Sequence, residues 1–165
     1  MKVVSVDPGC LGALALFHGQ SLVDIIDMPV VTVRRGKTDK KEIDAYRLTE
    51  SLRGWGADVG VIEQVGGMTG QSASAAFNFG RAAGAPEYIM ASLGMRLVRV
   101  PPITWKKRLA VKPGKDDSRL QAMRLWPAHA SRFARKKDDG RAEAALVGHW
   151  YFLTNPTTEV ASVFD

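Results

Sequence analysis

The chain has 165 residues, with 23 Lys and Arg against 17 Asp and Glu, a net charge of +6 and one cysteine. That length suits one domain, able to bury about two-thirds of its unfolded surface without a covalent staple. The lone Cys10 excludes an internal disulfide and a cysteine-based zinc site. No stretch of about 20 residues is apolar enough to cross a bilayer, and Asp7 interrupts the first apolar run too early for a secretory signal. A cytoplasmic protein with no membrane partner is expected.

Residues 2–6 form an apolar run closed by Asp7-Pro8-Gly9, which reads as a buried strand and its turn. Residues 11–17 and 21–27 follow as strands joined through His18-Gly19-Gln20, completing an antiparallel meander. Residues 30–41 are polar, basic and aperiodic, and are expected as a mobile loop. Asp39, with Glu42 at capping-box spacing, is expected to open a helix running to about Trp55. Residues 59–62 are a fourth strand ending at Glu63. Gly66, Gly67, Gly70 and Gln71 make a flexible junction into a small-residue-rich helix, 72–83, that carries Phe77 and Phe79. A separate helix is expected over 86–93 and a fifth strand over 95–100, stopped by Pro101-Pro102. Helices over 103–109, 118–126 and 138–153 complete the pattern. Strands first, then helix and strand in alternation, predict an α/β fold with a mixed sheet.

Charge is unevenly distributed. Residues 106–141 hold twelve Lys and Arg against four Asp and Glu, so the rest of the chain sums to −2. A second basic run contains Arg34, Arg35, Lys37, Lys40 and Lys41. Two such runs, with an isoelectric point near 9.7, are the footprint of a polyanion binder. Lys106, Lys107, Lys115, Arg135, Lys136 and Lys137 are the candidate phosphate contacts of the longer run.

The carboxylates carry the chemistry. Asp7 ends one apolar strand, where turn formation alone would explain it. Glu63 ends another, and an unpaired charge there is costly. Asp138 and Asp139 open the last helix, where the helix dipole favours negative charge. Glu143 follows Asp139 by four residues, so both lie on one helical side, ahead of an apolar stretch. If these strand ends and that helix face converge, four carboxylates repel one another unless cations sit among them. The oxygen-preferring ion for such a set is Mg²⁺, with Mn²⁺ as substitute, and two ions suit phosphodiester hydrolysis.

VDPG at 6–9, IEQV at 62–65 and KKDDGRAEAALVG at 136–148 resemble the RuvC-type Holliday-junction resolvases. Gly70-Gln71, the segment 77–81 and Gly114-Lys115-Asp116 resemble the phage and prophage branch of that family. The resemblance implies an RNase H-like fold: a five-stranded mixed sheet flanked by helices, a nuclease domain over 1–154 and an irregular tail over 155–165. It further implies a homodimer acting on branched DNA, in the host cytoplasm if phage-encoded. Asp7, Glu63, Asp139 and Glu143 match the family's metal ligands. Bacterial members space the last pair by three and end it with Asp, which leaves Asp138 open beside Asp139. They also place a base-stacking aromatic after the IEQ motif, where this chain has Gly66 and the nearest bulky residue is Met68. A lysine of the family's site falls near the PPITWKK stretch. Lys107 or Lys115 is expected to stabilise charge on the transferred phosphate or to make a plain phosphate contact. The helix with Phe77 and Phe79 is the candidate dimer interface.

Overall fold

A computed structural model describes residues 1–67, 69–112, 114 and 116–156. The apolar runs at the N-terminus become strands β1 (Lys2–Asp7), β2 (Ala13–His18) and β3 (Ser21–Asp27), paired antiparallel. A two-stranded ribbon follows, β4 (Val30–Arg35) and β5 (Thr38–Ile43), and leads into helix α1 (Ala45–Trp55). Strand β6 (Val59–Glu63), helix α2 (Ala73–Ser92) and strand β7 (Arg96–Val100) come next. Helices α3 (Pro102–Arg108) and α4 (Asp117–Leu125), two short 3₁₀ turns over Pro127–Phe133 and Lys136–Asp138, and helix α5 (Asp139–Thr154) complete the chain. The main sheet has the order β3-β2-β1-β6-β7, with β6 parallel to both β1 and β7. Among the described residues, no helix is long and apolar enough to cross a membrane.

Strand alternation divides the core between the two faces of the sheet. Val4, Val6, Leu14 and Ile62 pack with Leu48 and Leu52 of α1 and Met90 of α2. Val3, Ala13, Ala15, Phe17, Val59 and Val61 pack with α5 and with Trp105 of α3. The same period of two puts Asp7 in step with Val3 and Ser5, and Glu63 in step with Val59 and Val61. Both strand-ending carboxylates therefore belong to the face that α5 covers.

Helix α5 reaches that face through small residues four apart. The Ser5 hydroxyl, buried mid-strand, donates to the Ala144 carbonyl at 2.6 Å. A Cβ on Gly148 would stand 2.3 Å from the Phe17 ring and 2.6 Å from Ser5 Oγ. One on Gly140 would stand 2.7 Å from the Leu11 carbonyl oxygen and 2.9 Å from Asp7 Oδ2. Residues 140, 144 and 148 thus form one stripe against the sheet, and residues 139 and 143 lie about 100° round the helix from it.

Three local expectations change. Residues 30–41 are a ribbon rather than a mobile loop. Gly36 (φ +62°) makes the tight turn, and Arg34–Asp39 at 3.1 Å and Arg35–Glu42 tie the strands together. Asp44, not Asp39, caps α1, accepting from the Arg47 N–H at 3.0 Å, because Asp39 and Glu42 are spent inside β5. The helices expected over 72–83 and 86–93 are one, α2, which passes through Pro86. Of the tail expected over 155–165, Asn155 and Pro156 follow α5 outside any helix, and 157–165 lie outside the described residues.

Gly148→Ala is expected to overpack the α5–sheet contact by about 1–3 kcal/mol. For a chain of this size that lowers the melting temperature by roughly 3–10 °C, measurable by calorimetry. An unchanged melting temperature would contradict the close approach.

Candidate active site

Three carboxylates meet where β1, β6 and α5 converge. Asp7, Glu63 and Glu143 each offer an oxygen, and these oxygens all lie within 4.8 Å of one another. Adjacent parallel strands supply the first two, since Val6 is in register with Ile62 and each chain runs one residue further. The first turns of α5 supply Glu143, with Asp139 one turn before it. The carboxyl ends of parallel strands are where open α/β sheets place their ligands.

The electrostatics of the group are those of anions held together. Lost hydration, then repulsion from Glu143, Glu63 and Asp139, holds the Asp7 carboxyl well above the ordinary range. Burial also raises Glu63, against the opposing pull of a hydrogen bond from Trp105. Burial and repulsion from Glu143 raise Asp139. This all-oxygen, mutually repelling donor set fits a hard divalent cation.

Helices α3 and α4 supply the counterparts. The buried Trp105 indole N–H donates to Glu63 Oε1 at 2.9 Å, and Ser118 Oγ donates to Glu143 Oε1 at 3.0 Å. Lys106 Nζ lies 2.8 Å from the same Glu143 oxygen. Burial works against the lysine's charge. The hydrogen bond to Glu143, with the charges of Glu143, Glu63 and Asp139, outweighs it and holds the ammonium above its usual range.

Neighbouring residues meet different fates. The structure leaves Lys107 exposed and brings Lys106, one residue and about 100° earlier, to the carboxylates. Lys115 and Met68 lie outside the described residues. Asp138 is 1% exposed and takes no part in the cluster. Its carboxylate accepts from the Arg135 backbone N–H at 2.9 Å and Nη2 at 2.8 Å, with Arg141 at 3.7 Å. These bonds overcome burial and hold it below the ordinary range. Between the two aspartates, the structure places Asp139 beside Glu143 and Asp138 in an arginine pair. Of the basic candidates, Arg34, Arg35 and Arg135 are engaged by acids of this chain. Lys37, Lys40, Lys41, Lys136 and Lys137 are exposed. Trp105 and Ser118 had no signal in the sequence beyond a tryptophan in a short basic helix and a serine after two aspartates.

No family model and no curated protein matches the chain. Solved structures do match it. Thermus thermophilus RuvC aligns over 94% of this chain and 97% of its own, at 16% identity and a TM-score of 0.55. T. thermophilus RuvC in complex with a Holliday junction substrate aligns over 95% and 98%, at 16% identity and 0.54. At that identity the likeness shows the fold: this chain has the RNase H-like arrangement of RuvC, a five-stranded mixed sheet flanked by helices.

Two expectations follow from the geometry. Trp105→Phe removes the donor to Glu63 and is expected to weaken Mn²⁺ binding by about 10–100-fold in a calorimetric titration. Unaltered affinity would reduce the contact to packing. Asp7→Asn tests the repulsion. A carboxyl raised in the folded state contributes stability below about pH 4, and that contribution is lost as pH rises through the folded value. Without divalent metal at pH 8, the variant is expected to melt higher than the parent by a few °C, about 2–4 °C per kcal/mol, with the gain fading toward pH 4. A lower melting temperature at pH 8 would contradict the charge cluster.

Proposed function

We propose that this chain is a metal-dependent endonuclease that hydrolyses phosphodiester bonds in four-way and other branched DNA. The observation that carries the reading is the convergence of Asp7, Glu63 and Glu143, with Asp139 one helical turn away, on a RuvC-like fold. A solved neighbour of that fold holds a Holliday junction substrate. The motifs at 6–9, 62–65 and 136–148 support the resolvase family, and those at 70–81 and 114–116 support its phage and prophage branch.

Asp7, Glu63, Asp139 and Glu143 would hold Mg²⁺ or Mn²⁺, two ions per site. Bound there, the cations supply charge stabilisation to the attacking and leaving oxygens of the phosphodiester. The chain's own residues do the rest. Trp105 and Ser118 each donate to one oxygen, of Glu63 and Glu143 respectively, and so fix the orientation of both carboxylates. Lys106 places a positive charge at the carboxylates, where it can pass to a phosphate oxygen as negative charge develops. Lys40, Lys41, Lys136 and Lys137 hold the strand by its phosphates. A catalytically idle DNA binder has little reason to keep carboxylates whose own repulsion destabilises them.

A four-way junction has near two-fold symmetry, and two opposed incisions need two sites, so the working unit is a homodimer. Phe77 (67% exposed) and Tyr88 (72%) share one side of α2 and mark the interface. Phe79, two residues on, is half-buried and turned to the Gly9 turn, where its ring stands 3.7 Å from a Cβ built on Gly9.

The test compares four-way, flap, linear duplex and single-stranded substrates with Mg²⁺ and with Mn²⁺. Preferred cutting of the four-way substrate is expected. Asp7→Asn, Glu63→Gln and Glu143→Gln should each lose at least about 100-fold in rate while still binding DNA, and the free protein should sediment as a dimer that Phe77→Ala weakens. Equal cutting of flaps, or a monomer on the junction, would point to a simpler flap or fork nuclease. No cutting of any substrate would refute the enzyme.

A further inference from the structure

The four carboxylates are not equally supported. Trp105 donates to Glu63, Ser118 and Lys106 hold Glu143, and Asp7 ends a strand paired on both sides. Asp139 has no such support. Among the described residues its carboxylate accepts no hydrogen bond and joins no ion pair. It is also the first residue of α5, where backbone N–H groups lack helical partners and helices fray. Two residues along, Arg141 leaves the helix about 200° round from Asp139, on the other side. Its side chain is only 18% exposed. The guanidinium donates twice to Asp27 at the end of β3, at 2.6 and 2.7 Å, and to the Arg132 carbonyl at 3.5 Å. It also lies 3.7 Å from Asp138, which is itself closed onto Arg135. Local preference does not explain this arginine, because a cation in the first turn opposes the helix dipole. Nor does stability, since a pair set this deep adds little over apolar side chains of similar volume.

Resting on the metal-dependent nuclease reading, we propose that Arg141 is a positioning residue: it ties the first turn of α5 to the end of β3 and so holds Asp139 in place for the divalent cation. The sheet register supplies the reason for that anchor. Ala13 of β2 is in register with Asp7 on one side and with Asp27 on the other. Asp27, Ala13 and Asp7 therefore form one row across three strands, with the two acids about 10 Å apart. By gripping Asp27, Arg141 refers the start of α5 to the row that carries Asp7. The contacts to Asp138 and to the Arg132 carbonyl fix the chain just before the helix to the same point. Trp105 and Ser118 orient their carboxylates by touching them. Arg141 works through the backbone instead, keeping the helix end from opening where Asp139 has no partner of its own.

Calorimetric titration of the metal-free protein with Mn²⁺ tests this by the sign of the effect. Arg141→Gln removes a positive charge, so on charge alone the acidic site should take Mn²⁺ more tightly. The tie predicts the reverse, binding weaker by about tenfold. Asp27→Asn, on a side chain 64% exposed at the other end of the tie, should weaken Mn²⁺ by a similar factor. The double variant should then be no weaker than either single one. Two independent charges would instead act with opposite signs and add. Hydrogen exchange without metal gives a second readout. The amides of residues 143–145, whose bonds close the first turn of α5, should lose protection in both single variants while those of β1 and β6 keep theirs. If Arg141→Gln does not fold, Asp27→Asn decides by the same two measurements. Unchanged or tighter Mn²⁺ binding, or unchanged protection at 143–145, overturns the positioning role while leaving the nuclease standing. A parent protein that binds no Mn²⁺ overturns the nuclease reading, and the positioning role with it.

Discussion

The distance between α5 and the sheet sets the site. Gly140, Ala144 and Gly148, one stripe at a spacing of four, let the helix lie close enough for the Ser5 hydroxyl to reach a helical carbonyl. Side chains of ordinary size in that stripe would lift the helix and carry Glu143 away from Asp7 and Glu63. The acidic stripe is offset from the small one by a single residue. It therefore emerges beside the contact rather than within it, over the ends of β1 and β6. Two periodicities, 2.0 in the strands and 3.6 in the helix, converge on one point only because the gap between them is narrow.

Holding carboxylates this close works against the fold, and the segment from α3 to α4 offsets part of that. Trp105 and Ser118 each donate one hydrogen bond, and Lys106 adds one positive charge. A buried indole that donates to a carboxylate also satisfies its own N–H, so packing and positioning use the same contact. Among the described residues Asp7 has no such donor, and burial first, then the charges of Glu143, Glu63 and Asp139, gives it the strongest shift in the cluster. The adjacent pair Asp138 and Asp139 shows the contrast within one peptide unit. Two arginines hold the first as an anion, while burial, and then the charge of Glu143, pushes the second toward its neutral form.

Legibility in the sequence followed the apolar pattern. The five strands of the main sheet were readable because each is an apolar run bounded by a turn. Asp7 and Glu63 stood out because they end such runs. The facing of Asp139 with Glu143 followed from helical geometry, although Asp138 could not be set aside until its arginine partners were seen. The β4–β5 ribbon was unreadable because β5 is polar but for Ile43 and the stabilising pairs, Arg34–Asp39 and Arg35–Glu42, join residues five and seven apart. The choice of Lys106 over Lys107 depends on the direction of a seven-residue helix, which no local pattern reports. Pro86 read as a boundary, since a proline withholds one hydrogen bond, but packing of α2 on the sheet carries the helix through it.

The net charge conceals a division of labour between the two basic residue types. Arginines 34, 35, 99, 119, 132, 135 and 141 are all in ion pairs with acids of this chain. Among the described residues, none of the ion pairs involves Lys37, Lys40, Lys41, Lys136 or Lys137. A planar guanidinium suits a fixed pair, whereas a hydrated ammonium on a flexible stem keeps its charge available. Unpaired positive charge is thus narrower in extent than the sequence count suggests, and it gathers from two separate elements. The ribbon brings Lys41, and the 3₁₀ turn before α5 brings Lys136 and Lys137, to the same cleft. A polyanion drawn to that charge is delivered with its phosphates against Asp7 and Asp139, where they would be repelled unless cations intervened. On the proposed nuclease reading, cation binding and strand binding at this site would therefore be coupled, each removing the repulsion that opposes the other.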